Sequence, residues 1–217
     1  MERSVTKRAV LFDFDGVICQ TETFRMERLK DSFEKMGLTV DKKRLYQLVG
    51  GTRQERAPFM DQIFEGQENY LEHRDEILSL KWPVPPYGEL ATPGVGAVLD
   101  RLKEEGYKIA VASNSRTDML EDGLSQCGLC HLVDVVVSGW DAGRRKPDPY
   151  VYQEAMRRLG VTPGEAIIIE DSPIGIQAGK AAGCQVITLR DREGMLDQSG
   201  GDGVIETLNE IFSYLPK

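Results

Sequence analysis

Two aspartates, Asp13 and Asp15, stand one residue apart in "VLFDFDGVIC", directly after an apolar run. Neighbouring carboxylates raise each other's pKa unless a cation or a shared proton relieves them. Three further apolar runs end in polar residues of the same kind. Ser113-Asn114-Ser115 closes "KIAVAS", Lys146 follows "VDVVVS" within "GWDAGRRKPDP", and Glu170-Asp171-Ser172 closes "AIIIE". Carboxylates, a hydroxyl, an amide and an ammonium gathered around one crevice suit phosphoryl transfer. Carboxylate and carbonyl oxygens can hold Mg²⁺, which keeps some water and takes a substrate phosphate oxygen. One carboxylate can act as a nucleophile, and a second can give a proton to a leaving group and later take one from water. A hydroxyl, backbone N–H groups and a lysine can bind the remaining phosphoryl oxygens.

These residues need a frame that brings them together. The runs "AVLF" (9–12), "KIAVAS" (108–113), "VDVVVS" (133–138), "AIIIE" (166–170) and "QVITL" (185–189) are continuous rather than alternating. That pattern predicts parallel strands covered on both faces. Helical patterns lie between them. "GVGAVLDRLKEEG" repeats apolar residues at helical spacing and stops at Gly106, and "DPYVYQEAMRRLG" offers Asp148 as N-cap with Pro149 at the first helical position. Alternating strands and helices predict an α/β fold with a doubly wound parallel sheet, whose ligands bind beyond the carboxyl ends of the strands. One stretch breaks the alternation. Residues 19–87 carry helical patterns such as "ETFRMERLKDSFEKMG" and "ENYLEHRDEILSL", then the Pro-rich "WPVPPYGELATPG". The expected organisation is an α/β core of residues 1–18 and 88–217 with a helical cap, residues 19–87, inserted after the first strand.

The chain has 217 residues, 41% hydrophobic, enough for such a core. Its net charge of −8 argues against general affinity for nucleic acid or anionic membranes. No apolar run is long enough to span a bilayer, and residues 1–9 do not resemble a secretory leader. With four cysteines, the chain is too poor in them for a disulfide scaffold, so the expectation is a cytoplasmic, reduced protein and a monomer.

The four segments in order resemble the haloacid dehalogenase superfamily, on its branch with an inserted helical cap. "DFDGV", the Ser113 strand end, "KPDPYVY" and "EDSPIGIQAGKAAG" match its four motifs, and the resemblance covers essentially the whole chain. It implies Asp13 as nucleophile and metal ligand, and Asp15 as general acid/base with its carbonyl on the metal. Ser113 would bind the phosphoryl group, helped by backbone N–H groups near Asn114. Lys146 would neutralise the nucleophile, Asp171 would ligate Mg²⁺, and Glu170 would ligate it directly or through water. Asp15 separates the chain from the metal-independent dehalogenases and the phosphonate-cleaving relatives, which differ there.

Within the superfamily the resemblance is to the β-phosphoglucomutase-like group, which includes sugar phosphatases. "GGTRQE" resembles a cap loop that makes Arg53 a substrate residue, and Thr21, Glu22 and Arg25 are the other cap candidates. Arg25 occupies the position of a mutase histidine that helps gate the acid/base, and arginine cannot exchange a proton as histidine does. The expected activity is therefore Mg²⁺-dependent hydrolysis of a small phosphorylated metabolite, with a phosphosugar mutase as the alternative. Other polar features have plainer readings: Asp148 as a cap, Arg144 and Arg145 as surface charges, His73 as an exposed helix residue, and "CGLC" (127–130) as packing rather than a zinc or redox site.

Overall fold

The computed structural model describes residues 6–46, 53–80 and 84–216, with the side chains of 53–56 outside the description. The chain forms two compact units, one of Met1–Gln20 with Tyr87–Lys217 and one of Thr21–Pro86. In chain order the elements are β1 (Ala9–Phe12), α1 (Thr21–Lys35), α2 (Lys42–Tyr46), α3 (Arg53–Ile63), α4 (Glu68–Ser79), α5 (Val95–Glu104), β2 (Lys108–Ser113), α6 (Thr117–Gln126), β3 (Val135–Ser138), α7 (Tyr150–Leu159), β4 (Ala166–Glu170), α8 (Pro173–Ala181), β5 (Gln185–Leu189) and β6 (Gly203–Ile205).

The first unit is an α/β fold with a six-stranded, all-parallel sheet in the order β3-β2-β1-β4-β5-β6. The continuous apolar runs follow from two-sided burial. Val10, Phe12, Ile109, Val111, Ile167 and Ile169 point into one core with Leu99, Leu102, Leu120 and Leu124 of α5 and α6. Ala9, Leu11, Ala110, Ala112 and Ile168 point into another with Val151, Tyr152, Ala155 and Ile176 of α7 and α8. The pleat thus alternates faces while both faces exclude water. Strand order reverses at β1, whose neighbours are β2 and β4, so the carboxyl ends of these three strands frame the switch-point crevice.

The third strand is shorter than expected and begins at Val135. Asp134 explains the shortening: its carboxylate accepts the Ile109 N–H at 2.7 Å and the Lys103 ammonium at 2.6 Å, turning its side chain into a strand-edge brace. Helix α7 begins at Tyr150, one residue later than expected, and the Asp148 carboxylate accepts the Tyr150 N–H at 2.9 Å. Gly106 (φ 83°) follows α5 in the left-handed conformation expected of a helix stop. The edge strand β6 carries no legible signal, being three residues long and starting with glycine.

The second unit contains α1 to α4. Its core is built from Met26, Leu29, Phe33, Leu45, Phe64 and Tyr70, with Phe33 edge-on to Phe64 at 5.0 Å between ring centres. Asp61 on α3 pairs with Arg74 on α4 through two hydrogen bonds of 2.7 and 2.9 Å.

Candidate active site

Strand β1 delivers Asp13 into the crevice, where its N–H still donates to Ile169 O at 2.9 Å. The chain then turns back at once. Gly16 takes φ 86°, the Gly16 N–H donates to Cys19 O, and Cys19 bridges to Ala91. A side chain at Gly16 would be strained by that φ, and its Cβ would overlap the Asp171 carboxylate. The glycine therefore lets the first and fourth motifs close on each other.

Lys146 is the centre of the site. Its ammonium donates to Asp13 Oδ1 at 2.7 Å and to Glu170 Oε1 at 2.6 Å, with the lysine side chain 3% exposed. Asn114 clasps its backbone in both directions, accepting the Lys146 N–H at 2.7 Å and donating to its carbonyl at 3.2 Å. The amide side chain thus serves to place the lysine, a contact that sequence spacing did not reveal. Ser113 is buried, and its Oγ accepts the Ser115 N–H at 3.1 Å. The Ser115 hydroxyl in turn donates to Asp15 Oδ2 at 2.6 Å.

Glu170 is fully buried. Besides Lys146, Oε1 accepts the Tyr152 hydroxyl at 2.6 Å, and Oε2 accepts the Asp171 N–H, the Ser172 N–H and the Ser172 hydroxyl at 3.0 to 3.1 Å. Ser172 also caps α8 by accepting the Gly175 N–H. The Tyr152 ring lies under Lys146, 4.8 Å from its nitrogen. Tyr152 and Ser115 are contributors that sequence reasoning passed over. Tyr152 had a signal, being the last residue of "KPDPYVY", in the first turn of α7 just after Lys146.

Electrostatics follow from crowding. Burial pushes Asp13 up to about 8, with Lys146 opposing the rise and Glu170 and Asp15 adding to it. Burial would also raise Glu170, but the ammonium beside it and the Tyr152 and Ser172 hydrogen bonds prevail and hold it below the ordinary carboxylate value. Burial would lower Lys146, yet its two carboxylate partners prevail and raise it. Burial, then the charges of Glu170 and Asp13, holds the Tyr152 phenol protonated as a donor. One ammonium faces several carboxylates, so without a further cation Asp13 keeps its proton until pH passes about 8.

Asp13, Glu170 and Asp171 each bring a carboxylate oxygen within 4.8 Å of the others, all three buried. The donor set is all oxygen and its carboxylates outnumber the ammonium beside them, which fits a hard divalent cation such as Mg²⁺. In the second unit, Thr21 is fully buried at the start of α1, and Arg25 pairs with Glu22 at 3.1 Å. The Arg53 side chain and the "GGT" before it lie outside the described residues. Cys127 packs against Cys19, 3.5 Å between sulfurs, and Cys130 is exposed. Neither belongs to a group of metal-binding side chains among the described residues. No helix among them is long and apolar enough to cross a membrane.

Comparison with known proteins gives the same fold. The family model described as "Haloacid dehalogenase-like hydrolase" matches residues 10–189. The "Putative phosphatase YhcW" of Bacillus subtilis is 33% identical over 208 residues, covering 94% of this chain and 93% of that protein. The "Phosphorylated carbohydrates phosphatase" of Thermotoga maritima is 28% identical, covering 87% and 90%. Among solved structures, a HAD family hydrolase from Deinococcus radiodurans with bound phosphate and sodium superposes with a TM-score of 0.76 at 26% identity, covering 97% of this chain and 95% of that one.

Proposed function

The chain belongs to the haloacid dehalogenase-like hydrolase family, and from that premise we propose that it is a phosphatase that hydrolyses a small phosphomonoester, a sugar phosphate by preference, through an aspartyl-phosphate. The observation that carries this reading is the Lys146 ammonium seated between Asp13 and Glu170 at the carboxyl ends of β1 and β4, with Asp171 beside them. The sugar preference is supported by the name of the Thermotoga maritima relative.

In this mechanism Asp13 attacks phosphorus. The P–O bond to the alcohol breaks, and Asp15 gives that oxygen its proton. Water then attacks the aspartyl-phosphate, Asp15 takes the water's proton, and the Asp13 carboxylate and inorganic phosphate are regenerated. Ser115 holds the Asp15 carboxylate through its hydroxyl, so the acid/base is oriented from the end of β2 while the nucleophile's carboxylate is held by Lys146, beyond β3. Lys146 neutralises the charge shared by Asp13 and the phosphoryl oxygens, and the Ser113 hydroxyl and neighbouring backbone N–H groups bind those oxygens. Asp13 and Asp171 carboxylates, with the Asp15 carbonyl, would hold Mg²⁺. When bound, that ion supplies charge neutralisation for the phosphoryl group and for the crowded carboxylates. Arg25, with Thr21, Glu22 and Arg53, is proposed to recognise the rest of the substrate.

The test is product analysis over a panel of phosphorylated metabolites with Mg²⁺, with and without chelator. Free phosphate in the Mg²⁺ arm is the expected outcome. Conversion of glucose 1-phosphate to glucose 6-phosphate without phosphate release would sink the hydrolytic reading. The mutase alternative draws on a 28% identical β-phosphoglucomutase of Bacillus subtilis, but Arg25 cannot relay a proton as a histidine could.

A further inference from the structure

The three buried carboxylates do not offer themselves equally to a cation. A carboxylate presents roughly four lone-pair directions. On Glu170 these are already taken: Lys146 and Tyr152 hold Oε1, each at 2.6 Å, and the Asp171 N–H, Ser172 N–H and Ser172 hydroxyl hold Oε2. A hard cation bonded at about 2.1 Å to either oxygen would have to displace a buried donor. On the Oε1 side it would also sit against the Lys146 ammonium. The helix beneath leaves little room to swing away, since a Cβ at Gly175 would overlap the Glu170 carboxylate.

We propose that Glu170 is a positioning residue and not a metal ligand: with Tyr152 it seats Lys146 against Asp13, leaving the cation to Asp13 and Asp171. Its charge keeps the lysine protonated in a buried place, and its second oxygen knits the Asp171–Ser172 turn to the start of α8. Tyr152 matters because its hydroxyl fixes the oxygen that Lys146 must share. The ammonium then has one place to stand, above the Tyr152 ring and on Asp13 Oδ1. The placement of Glu170 rests on geometry alone; only its effect on turnover rests on the phosphatase reading.

Wild-type protein crystallised with Mn²⁺, the ion located by its anomalous scattering, tests the placement. The ion is expected at about 2.1 to 2.2 Å from oxygens of Asp13 and Asp171 and beyond about 3 Å from both Glu170 oxygens. A Glu170 oxygen within about 2.5 Å of the ion, or no ion between Asp13 and Asp171, overturns the proposal. Tyr152→Phe keeps the ring and removes the hydroxyl. Its kcat at saturating Mg²⁺ should fall by about tenfold or more, because a small misplacement of a catalytic group is costly. Its KM and its Mg²⁺ dissociation constant, the latter from calorimetric titration without substrate, should stay within about twofold of wild type, since no ligand is lost. An unchanged kcat, or a weakened Mg²⁺ constant, refutes the positioning role. Wild-type protein that takes up Mn²⁺ as described yet hydrolyses no phosphomonoester defeats the phosphatase reading and leaves the placement of Glu170 standing.

Discussion

The Ser115 hydroxyl donates to Asp15 Oδ2 at 2.6 Å, joining two strand ends that lie 100 residues apart in sequence. Ser115 is itself pinned, because Ser113 Oγ accepts its N–H and its carbonyl accepts the Ser138 hydroxyl. The proposed acid/base is therefore oriented by β2 and β3 rather than by its own strand. Ser115→Ala should lower kcat by about ten- to a hundredfold while leaving the fold intact, as expected when a catalytic group is loosened. Steady-state kinetics with p-nitrophenyl phosphate read this directly, and an unaltered kcat would remove Ser115 from the mechanism.

Lys146→Met strips the ammonium from a buried pair of carboxylates. Removing one partner of a buried ion pair costs about 3 to 5 kcal/mol, because the remaining charge has nothing to answer it. Urea denaturation of the metal-free protein should show a loss of that order. A stability within about 1 kcal/mol of wild type would mean that the site reorganises without it.

Asp13→Asn should abolish turnover. It should also change how stability responds to pH. Burial raises the folded-state pKa of Asp13 from 3.8 to about 8, so across that interval the folded state holds a proton that the unfolded state gives up. The resulting penalty is absent below 3.8 and grows until pH passes about 8. In metal-free protein the variant should thus melt above wild type at pH 8 and level with it at pH 4, each kcal/mol appearing as about 2 to 4 °C. Mg²⁺ should raise the wild-type midpoint and leave that of the variant nearly unmoved. An equal gap at both pH values contradicts the burial account.

Gly16→Ala places a methyl group where the Asp171 carboxylate lies, on a backbone with φ 86°. The strain alone is worth about 1 to 2 kcal/mol, and the displaced Asp171 should weaken Mg²⁺ binding by about tenfold or more. Calorimetric titration decides the point; wild-type affinity in this variant would show that the two motifs need not touch.

In the second unit, the hydrogen bonds from Arg74 and Tyr70 depress Asp61 to about 2. Stability from that cluster is complete above the unfolded value of 3.8 and disappears as pH falls through about 2. The side chains are 38% and 43% exposed, so screening keeps the effect small. Asp61→Asn should sit about a degree or two below wild type at pH 6 and match it near pH 2, and added salt should narrow the difference. A gap that persists at pH 2 would assign the cost to packing.

Much of this was legible in the chain because parallel strands buried on both faces write themselves as unbroken apolar runs, and their ends mark where polar chemistry begins. Asp13, Lys146 and Glu170 could be grouped from that rule, and they meet within hydrogen-bonding distance. The contacts that orient them were not legible. Asn114 clasping the Lys146 backbone and Ser115 reaching Asp15 depend on how loops from different strands fold over one another, and such pairings carry no spacing rule. Strand β6 escaped because three residues beginning with glycine look like any turn. Asp134 shortened β3 by offering its side chain to the ladder, a competition between side-chain and backbone acceptors that an apolar pattern cannot register.

The chain leaves the first unit and returns to it through neighbouring backbone. Ile18 O accepts the Thr92 N–H at 2.9 Å, Leu90 O accepts the Gln20 N–H at 2.8 Å, and Cys19 bridges Ala91 antiparallel between them. Departure and return are thus stitched into a short ribbon whose two strands are already a hairpin in all but the turn. Lengthening whatever is spliced between Gln20 and Tyr87 adds little to the cost of closing that loop, about 0.6 kcal/mol per doubling of its length. The hydrolytic machinery could therefore keep its register while the inserted helices are lengthened, replaced or reduced to a turn. The proposed hydrolytic residues and the proposed recognition residues of the inserted helices thus lie in separable passages of one chain, free to change at different rates.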